Sequence, residues 1–151
     1  MHKYIYALST IALATISTQA HAGAVALCIE KSKNLAGNYY DSEYFLRHGA
    51  SPNVDGYVAN RAARRDHRKS YDNSTPYCRH NGDKLQDGGY FVVIKGGREK
   101  DHEGAHYNRW ALGFGLDRKA ALKDAKAELR RRDWSWVERK HGYEIAAEDK
   151  I

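Results

Sequence analysis

Cys28 and Cys78 are the only cysteines in this 151-residue chain, so just one intramolecular pairing is open to them. Any fold in which they are bridged must bring together two segments 50 residues apart. Whether they are bridged turns on the compartment, because disulfides persist in oxidising surroundings and are rare in reducing ones. The start of the chain bears on that question. Met1-His2-Lys3 is a short positive opening, residues 4–16 are apolar apart from Ser9, Thr10 and Thr15, and the run from Ser17 closes on the small-x-small triplet Ala20-His21-Ala22. This is the order of a secretory leader, with an apolar run too short to span a bilayer. We therefore read 1–22 as a cleaved signal peptide, 23–151 as a single exported domain, and Cys28 with Cys78 as its disulfide. A crosslink closing a loop of about 50 residues contributes roughly 3–4 kcal/mol on the chain-entropy estimate.

Without the leader 129 residues remain, enough for one domain with a modest core. The formal charge falls from +6 to +5, since only Lys3 leaves. A positive balance of this size favours an anionic partner without specifying one.

Similar stretches recur about 66 residues apart. The apolar run 24–29 (AVALCI) has a counterpart in 90–94 (YFVVI), and each is followed by a polar, glycine-containing connection. Second strands are expected at 44–49 (YFLRHG) and 110–115 (WALGFG). Each leads to an N-cap, Ser51 before Pro52 in the first half and Asp117 in the second, and then to a helix. The second helix is expected over Arg118 to Arg132, with Ala121, Leu122, Ala125 and Leu129 on one side. The first, from about Val54 to Arg68, has a weaker stripe. Gly49 and Gly115, Ser51 and Asp117, Ala59 and Ala125, and Ala63 and Leu129 are all 66 apart. The pattern predicts a strand-strand-helix unit used twice.

Residues 70–89, rich in Asp, Asn, Ser and Gly, read as a long loop clipped by Cys78. Residues 134–138 (WSWVE) and 143–146 (YEIA) read as strands around a turn at Lys140-His141-Gly142. The expected fold class is α+β, an antiparallel sheet with two helices on one face and a duplicated strand-strand-helix unit.

The run Trp110-Ala-Leu-Gly-Phe-Gly115, followed by Ala120-Ala121-Leu122, by Ala125 to Leu129 and by an apolar strand, resembles small secreted bacterial proteins of an uncharacterised domain-of-unknown-function family. The resemblance covers about 45 residues and implies a strand, a Gly-x-Gly turn, an Ala-rich helix and a closing strand. It departs from that pattern after the helix, where Trp134 and Trp136 stand in place of cysteines. It implies no activity.

One pentapeptide points at catalysis. His102-Glu103-Gly104-Ala105-His106 satisfies the H-E-x-x-H pattern, in which two histidines one helical turn apart bind Zn²⁺ and the glutamate acts as base for the bound water. That chemistry needs a helix. Here Gly104 sits inside the motif, Gly96-Gly97 precede it, and the alternation of Asn108, Trp110, Leu112 and Phe114 after it is that of a strand. No third ligand stands in a recognisable motif, and an order of residues drawn at random from this composition gives the pattern with a frequency of about 2%. The favoured reading is a loop between two strands, with no metal and no catalytic residue. The alternative is a zinc-dependent hydrolase with Glu103 as base and His102 and His106 as ligands.

Positive charge gathers at the ends of the two expected helices: Arg61-Ala-Ala-Arg64-Arg65-Asp66-His67-Arg68-Lys69 and Arg130-Arg131-Arg132. Such charge complements a helix C-terminus. Two like helices would also bring both clusters to one end of the domain, as a basic patch formed by Arg64, Arg65, Arg68, Arg130, Arg131 and Arg132. No Ser-His-Asp pattern, phosphate-cradling glycine loop or paired-carboxylate pattern rises above background. The sequence is read as a periplasmic or secreted, non-enzymatic binding protein, an inhibitor or immunity-type protein acting on a partner enzyme or toxin. The further alternative is a binder of anionic envelope components or other polyanions.

Overall fold

The computed structural model describes residues 22–151 other than 36, 52, 86, 97–98, 101–105 and 108, and for 99–100 and 106–107 it describes the backbone alone. The leader therefore lies, apart from Ala22, outside the described residues. In chain order the elements are β1 (Gly23–Lys33), β2 (Tyr39–Ala50), α1 (Gly56–Ser70), β3 (Tyr77–His80), β4 (Tyr90–Gly96), β5 (Glu99–Lys100), β6 (His106–Tyr107), β7 (Trp110–Gly115), α2 (Arg118–Arg132), α3 (Glu138–His141) and β8 (Tyr143–Lys150).

The fold is α+β with antiparallel strands, six of them in two three-stranded sheets, in the orders β2-β1-β3 and β7-β4-β8, and β5 with β6 as a separate two-stranded ribbon. The central strands explain the division. Successive residues of a strand face opposite sides. In β1, Ala24, Ala26 and Cys28 pack with Ala59 and Ala63 of α1, while Val25, Leu27 and Ile29 face the other way. In β4, Val92 and Ile94 pack with Ala121, Ala125 and Leu129 of α2, while Phe91 and Val93 join Val25, Leu27 and Ile29 in the central core. A run that is apolar at every position is thus buried on both faces. Each sheet has a helix outside and the other sheet inside, instead of one sheet carrying both helices on one face.

The duplication is present, with two different offsets. Cys28 lies opposite Phe45 in the first sheet and Ile94 opposite Ala111 in the second, and Ala24 opposite Gly49 matches Tyr90 opposite Gly115. Each of these correspondences is a displacement of 66 residues. The helices are displaced by 62, from Gly56–Ser70 to Arg118–Arg132, because the stretch from Gly49 to α1 is four residues longer than that from Gly115 to α2. Ser51 accordingly is not the N-cap of α1. Its carbonyl accepts from Val54 N in a turn, and Asp55 caps the helix by accepting from Val58 N at 2.9 Å. Asp117 caps α2 as expected, accepting from Ala120 N at 2.7 Å.

The second unit packs with smaller residues. Where β2 presents Phe45 and Arg47 toward its helix, β7 presents Ala111 and Gly113 at the equivalent register. A Cβ on Gly113 would lie 2.1 Å from the carbonyl of Ala121 and the amide of Ala125, so α2 rests directly on the strand backbone.

Two stretches differ from expectation. Residues 70–89 contain β3, whose Cys78 lies directly opposite Cys28 and is bonded to it. Beyond β3, buried Asn81 accepts from Val25 N at 2.8 Å and donates to the carbonyls of Gly23 at 2.7 Å and Lys84 at 2.5 Å. Side-chain hydrogen bonds of this kind fix a segment whose composition reads as loop. Residues 134–138 form a turn and the start of α3 instead of a strand. The Asp133 carboxylate accepts from the amide and hydroxyl of Ser135, and the Trp136 ring is buried under α2 with its indole N–H on the Gly142 carbonyl. The closing strand runs from Tyr143 to Lys150 and pairs with β4.

Candidate functional site: a cationic double cleft

Both helices end against the segment between α1 and β3. Two clefts open there and share Ser74 and Thr75 as a common wall. The larger, of about 710 Å³, is lined by Glu30 and Lys31 of β1, Tyr39 of β2, Tyr77 of β3, Arg109, and Arg131 and Arg132 of α2. The smaller, of about 260 Å³, is lined by Arg64 and Arg68 of α1 and by Pro76. Four of the six arginines read from the sequence as a basic patch therefore reach this place, from two helices more than sixty residues apart. Arg65 is exposed on α1 and lines neither cleft, and the Arg130 guanidinium lies over the Trp136 ring at 5.7 Å.

The arginines differ in what they are free to do. Arg132 is turned inward, its side chain 7% exposed, with Nη1 and Nη2 each 2.8 Å from an oxygen of fully buried Asp41. It also donates to the Trp110 carbonyl, and its guanidinium stacks 4.5 Å from the Tyr77 ring centre. Arg109 reaches Asp41 at 3.5 Å. Arg131 is 65% exposed and contacts Glu128, whose buried carboxylate also receives the Tyr77 hydroxyl and lies 3.6 Å from Arg79. Buried Asp41 behind the wall thus holds Arg109 and Arg132 in place, while Lys31, Arg64, Arg68 and Arg131 present charge to solvent. Lys31 Nζ stands 5.3 Å from the Tyr77 ring centre.

Behind Ser74 lies a polar trio that the sequence reading did not pick out. The Ser74 hydroxyl donates to Glu30 at 2.7 Å, His67 Nε2 is 2.5 Å from the same Glu30 oxygen, and Ser74 Oγ is 3.3 Å from His67 Nε2. Residue types match a nucleophilic triad, but the connections do not. In such a triad the acid holds the histidine nitrogen remote from the serine. Here one imidazole nitrogen meets both partners, so it donates to Glu30 and has no lone pair for the serine proton. The trio fixes Ser74 against α1 and holds the Glu30 carboxylate toward His67.

Other titratable groups near α1 are tuned by their neighbours. The Arg47 guanidinium, 2.5 Å away, holds the Asp66 carboxyl below its ordinary value. Burial pushes the His80 imidazole below its usual value, helped by the positive charge of Arg64.

Of the H-E-x-x-H segment, only His106 falls among the described residues. His106 falls in β6, a strand paired with β5 in the register Lys100 opposite His106, so at this residue the backbone is extended instead of helical. His102, Glu103, Gly104 and Ala105 lie outside the described residues. Among the described residues no group of three or more His, Cys, Asp or Glu is placed to hold a metal ion, and no helix is long and apolar enough to cross a membrane.

Comparison with known proteins finds no matching family model, no matching curated protein and no matching solved structure.

Proposed function

We propose that this chain is an exported, non-enzymatic binding protein that docks an acidic region of a partner protein on its double cleft and acts as an inhibitor or immunity-type factor. The observation that carries this reading is the meeting of α1 and α2 cations on either side of Ser74 and Thr75. The buried ion pairs behind the clefts support it, because they hold the walls in shape before a partner arrives and so reduce the ordering cost of binding. The disulfide between β1 and β3 is compatible with export and braces the strand that carries Tyr77.

Charge at a rim acts mainly on association rate and salt dependence. The test is affinity capture from an envelope extract, with the wild-type chain and with Arg64→Ala/Arg68→Ala/Arg131→Ala as baits. A protein retained by the wild type, released as salt rises and lost with the triple variant is the expected result. Equal capture by both baits overturns the reading. Retention on heparin or lipopolysaccharide with no protein partner replaces it by polyanion binding.

A further inference from the structure

The two clefts are not separate pockets that happen to be close. They share Ser74 and Thr75, and each has its own cations on its own helix, Arg131 for the larger and Arg64 with Arg68 for the smaller. Lys31, Arg64 and Arg68 carry no ion pair among the described residues. Like charges one turn apart on a helix repel by a few tenths of a kcal/mol, so Arg64 and Arg68 are mildly unfavourable to α1 until an anion sits between them. The acid at the wall of the larger cleft is already engaged, since the Glu30 oxygen that meets Ser74 also meets His67, and among the described residues no acid lines the smaller cleft.

We infer that the double cleft is one site with two anion subsites, and that its ligand is an acidic peptide segment entering with two carboxylates, one beside Arg131 and Lys31 and the other between Arg64 and Arg68. The inference rests on the proposed docking function and names what the partner must present. Guanidinium groups suit this because their fork matches a carboxylate in two parallel hydrogen bonds. Thr75, exposed on the shared wall, lies where the stretch of peptide between the two acids would pass. With one carboxylate seated, the second binds from a high effective concentration, so the two subsites reinforce each other.

The experiment is calorimetric titration of the mature protein with three capped synthetic peptides, Gly-Glu-Gly-Glu-Gly, Gly-Glu-Gly-Gln-Gly and Gly-Gln-Gly-Gln-Gly. The two-glutamate peptide is expected to bind about a hundredfold more tightly than the one-glutamate peptide, the low end for a second contact made within one complex. Arg64→Ala/Arg68→Ala and Arg131→Ala should each reduce the two-glutamate peptide to the one-glutamate affinity. Because Arg131 also touches Glu128, Lys31→Gln repeats the test in the same cleft without disturbing that contact. Equal binding of the one- and two-glutamate peptides overturns the inference, as does indifference to either set of variants. Salt-sensitive capture of a partner protein combined with no peptide discrimination overturns the two-carboxylate inference alone. Failure of both capture and peptide binding overturns the docking function as well.

Discussion

Asp41 and Arg132, 91 residues apart in the chain, meet as carboxylate and guanidinium fork to fork, with both contacts at 2.8 Å. Asp41 belongs to the edge strand of the first sheet and Arg132 to the last turn of the second unit's helix. The carboxylate also accepts from Trp110 N at 2.8 Å, so one buried acid ties β2 to both β7 and α2. Removing one partner of a buried pair typically costs about 3–5 kcal/mol, because the other charge is left uncompensated. Asp41→Asn and Arg132→Ala are each expected to lose that much in a denaturant titration. A loss below about 1 kcal/mol in both would show that the pair does not join the units.

Gly113 and Gly49 allow a matched comparison. A Cβ at Gly113 would meet the α2 main chain at 2.1 Å, whereas a Cβ at Gly49 has nothing within 4 Å. Overpacking usually costs about 1–3 kcal/mol, and more where backbone instead of a rotatable side chain must move. Gly113→Ala should therefore lower the melting temperature steeply or prevent folding, while Gly49→Ala leaves it nearly unchanged. Similar melting of the two variants would contradict the direct seating of α2 on β7.

The disulfide offers a test of the first unit. Cys28 is fully buried between Ala24, Ala26, Ala59 and Ala63, and its partner Cys78 lies directly across β1 and β3. Cys28→Ala/Cys78→Ala is expected to lose roughly 3–4 kcal/mol through the greater freedom of the unfolded chain. Equilibrium unfolding with and without reductant measures it, and reductant should leave the double variant unaffected.

Stability is expected to fall with pH in two steps. The folded His80 has a pKa below the ordinary 6.5, so between those two values the unfolded chain binds more protons and acidification favours unfolding. The loss begins as pH drops through about 6.5 and levels off once the folded imidazole also protonates. Asp66, held below its ordinary 3.8 by Arg47, is fully stabilising above that value. Its contribution is lost as pH falls from there through the folded pKa. His80→Gln should remove the first step and Asp66→Asn the second, read from melting temperatures between pH 8 and pH 2.5. A first step unchanged in His80→Gln would assign it to another group.

Metal chemistry at the H-E-x-x-H letters is tested by removal. Two histidines four apart serve one Zn²⁺ when a helix stacks them, and His106 lies in a strand. Chelator treatment of the purified mature protein is expected to leave melting temperature and elemental composition unchanged. Stoichiometric zinc that disappears in His102→Ala would restore the hydrolase reading.

Much of this architecture is readable in the chain. The alternation-free runs at 24–29 and 90–94 mark strands buried on both faces, and the spacing between them gives the true strand register, Gly49 with Gly115 included. Asp117 and the Ala121, Ala125, Leu129 stripe place α2 at its observed bounds. The first helix is displaced because Ser51-Pro52 resembles a helix start as closely as Asp55-Gly56 does. Gly56 earns no credit as a helix former, yet a Cβ there would lie 2.3 Å from Gly82 N, a tertiary demand that propensity does not record. Trp134 and Trp136 alternate like a strand, but hydrogen bonds from Ser135 to the Asp133 carboxylate and from Trp136 N to the Asp133 carbonyl close a turn.

The site was legible in part. The helix-end arginines identify where the clefts form, but not which of them are committed inward. That depends on Asp41 and Glu128, acids whose burial only the packing of two units reveals. The Glu30 and His67 pair had a usable signal: Glu30 continues the helix-facing positions Ala24, Ala26 and Cys28, and His67 continues the stripe of Gly56, Ala59 and Ala63. Two polar residues on facing apolar stripes must find each other or remain unsatisfied.

The two units bury the same face against each other, since Val25 and Leu27 in one correspond in register to Phe91 and Val93 in the other. An interface made from one surface used twice is the hallmark of an isologous homodimer. The chain is in that sense a dimer written as one polypeptide, and half of it has nowhere to hide its inner sheet. Residues 23–80 produced alone should not give a stable monomer but should pair with a second copy of themselves, reconstituting the central core and leaving two small clefts with no Arg131 opposite.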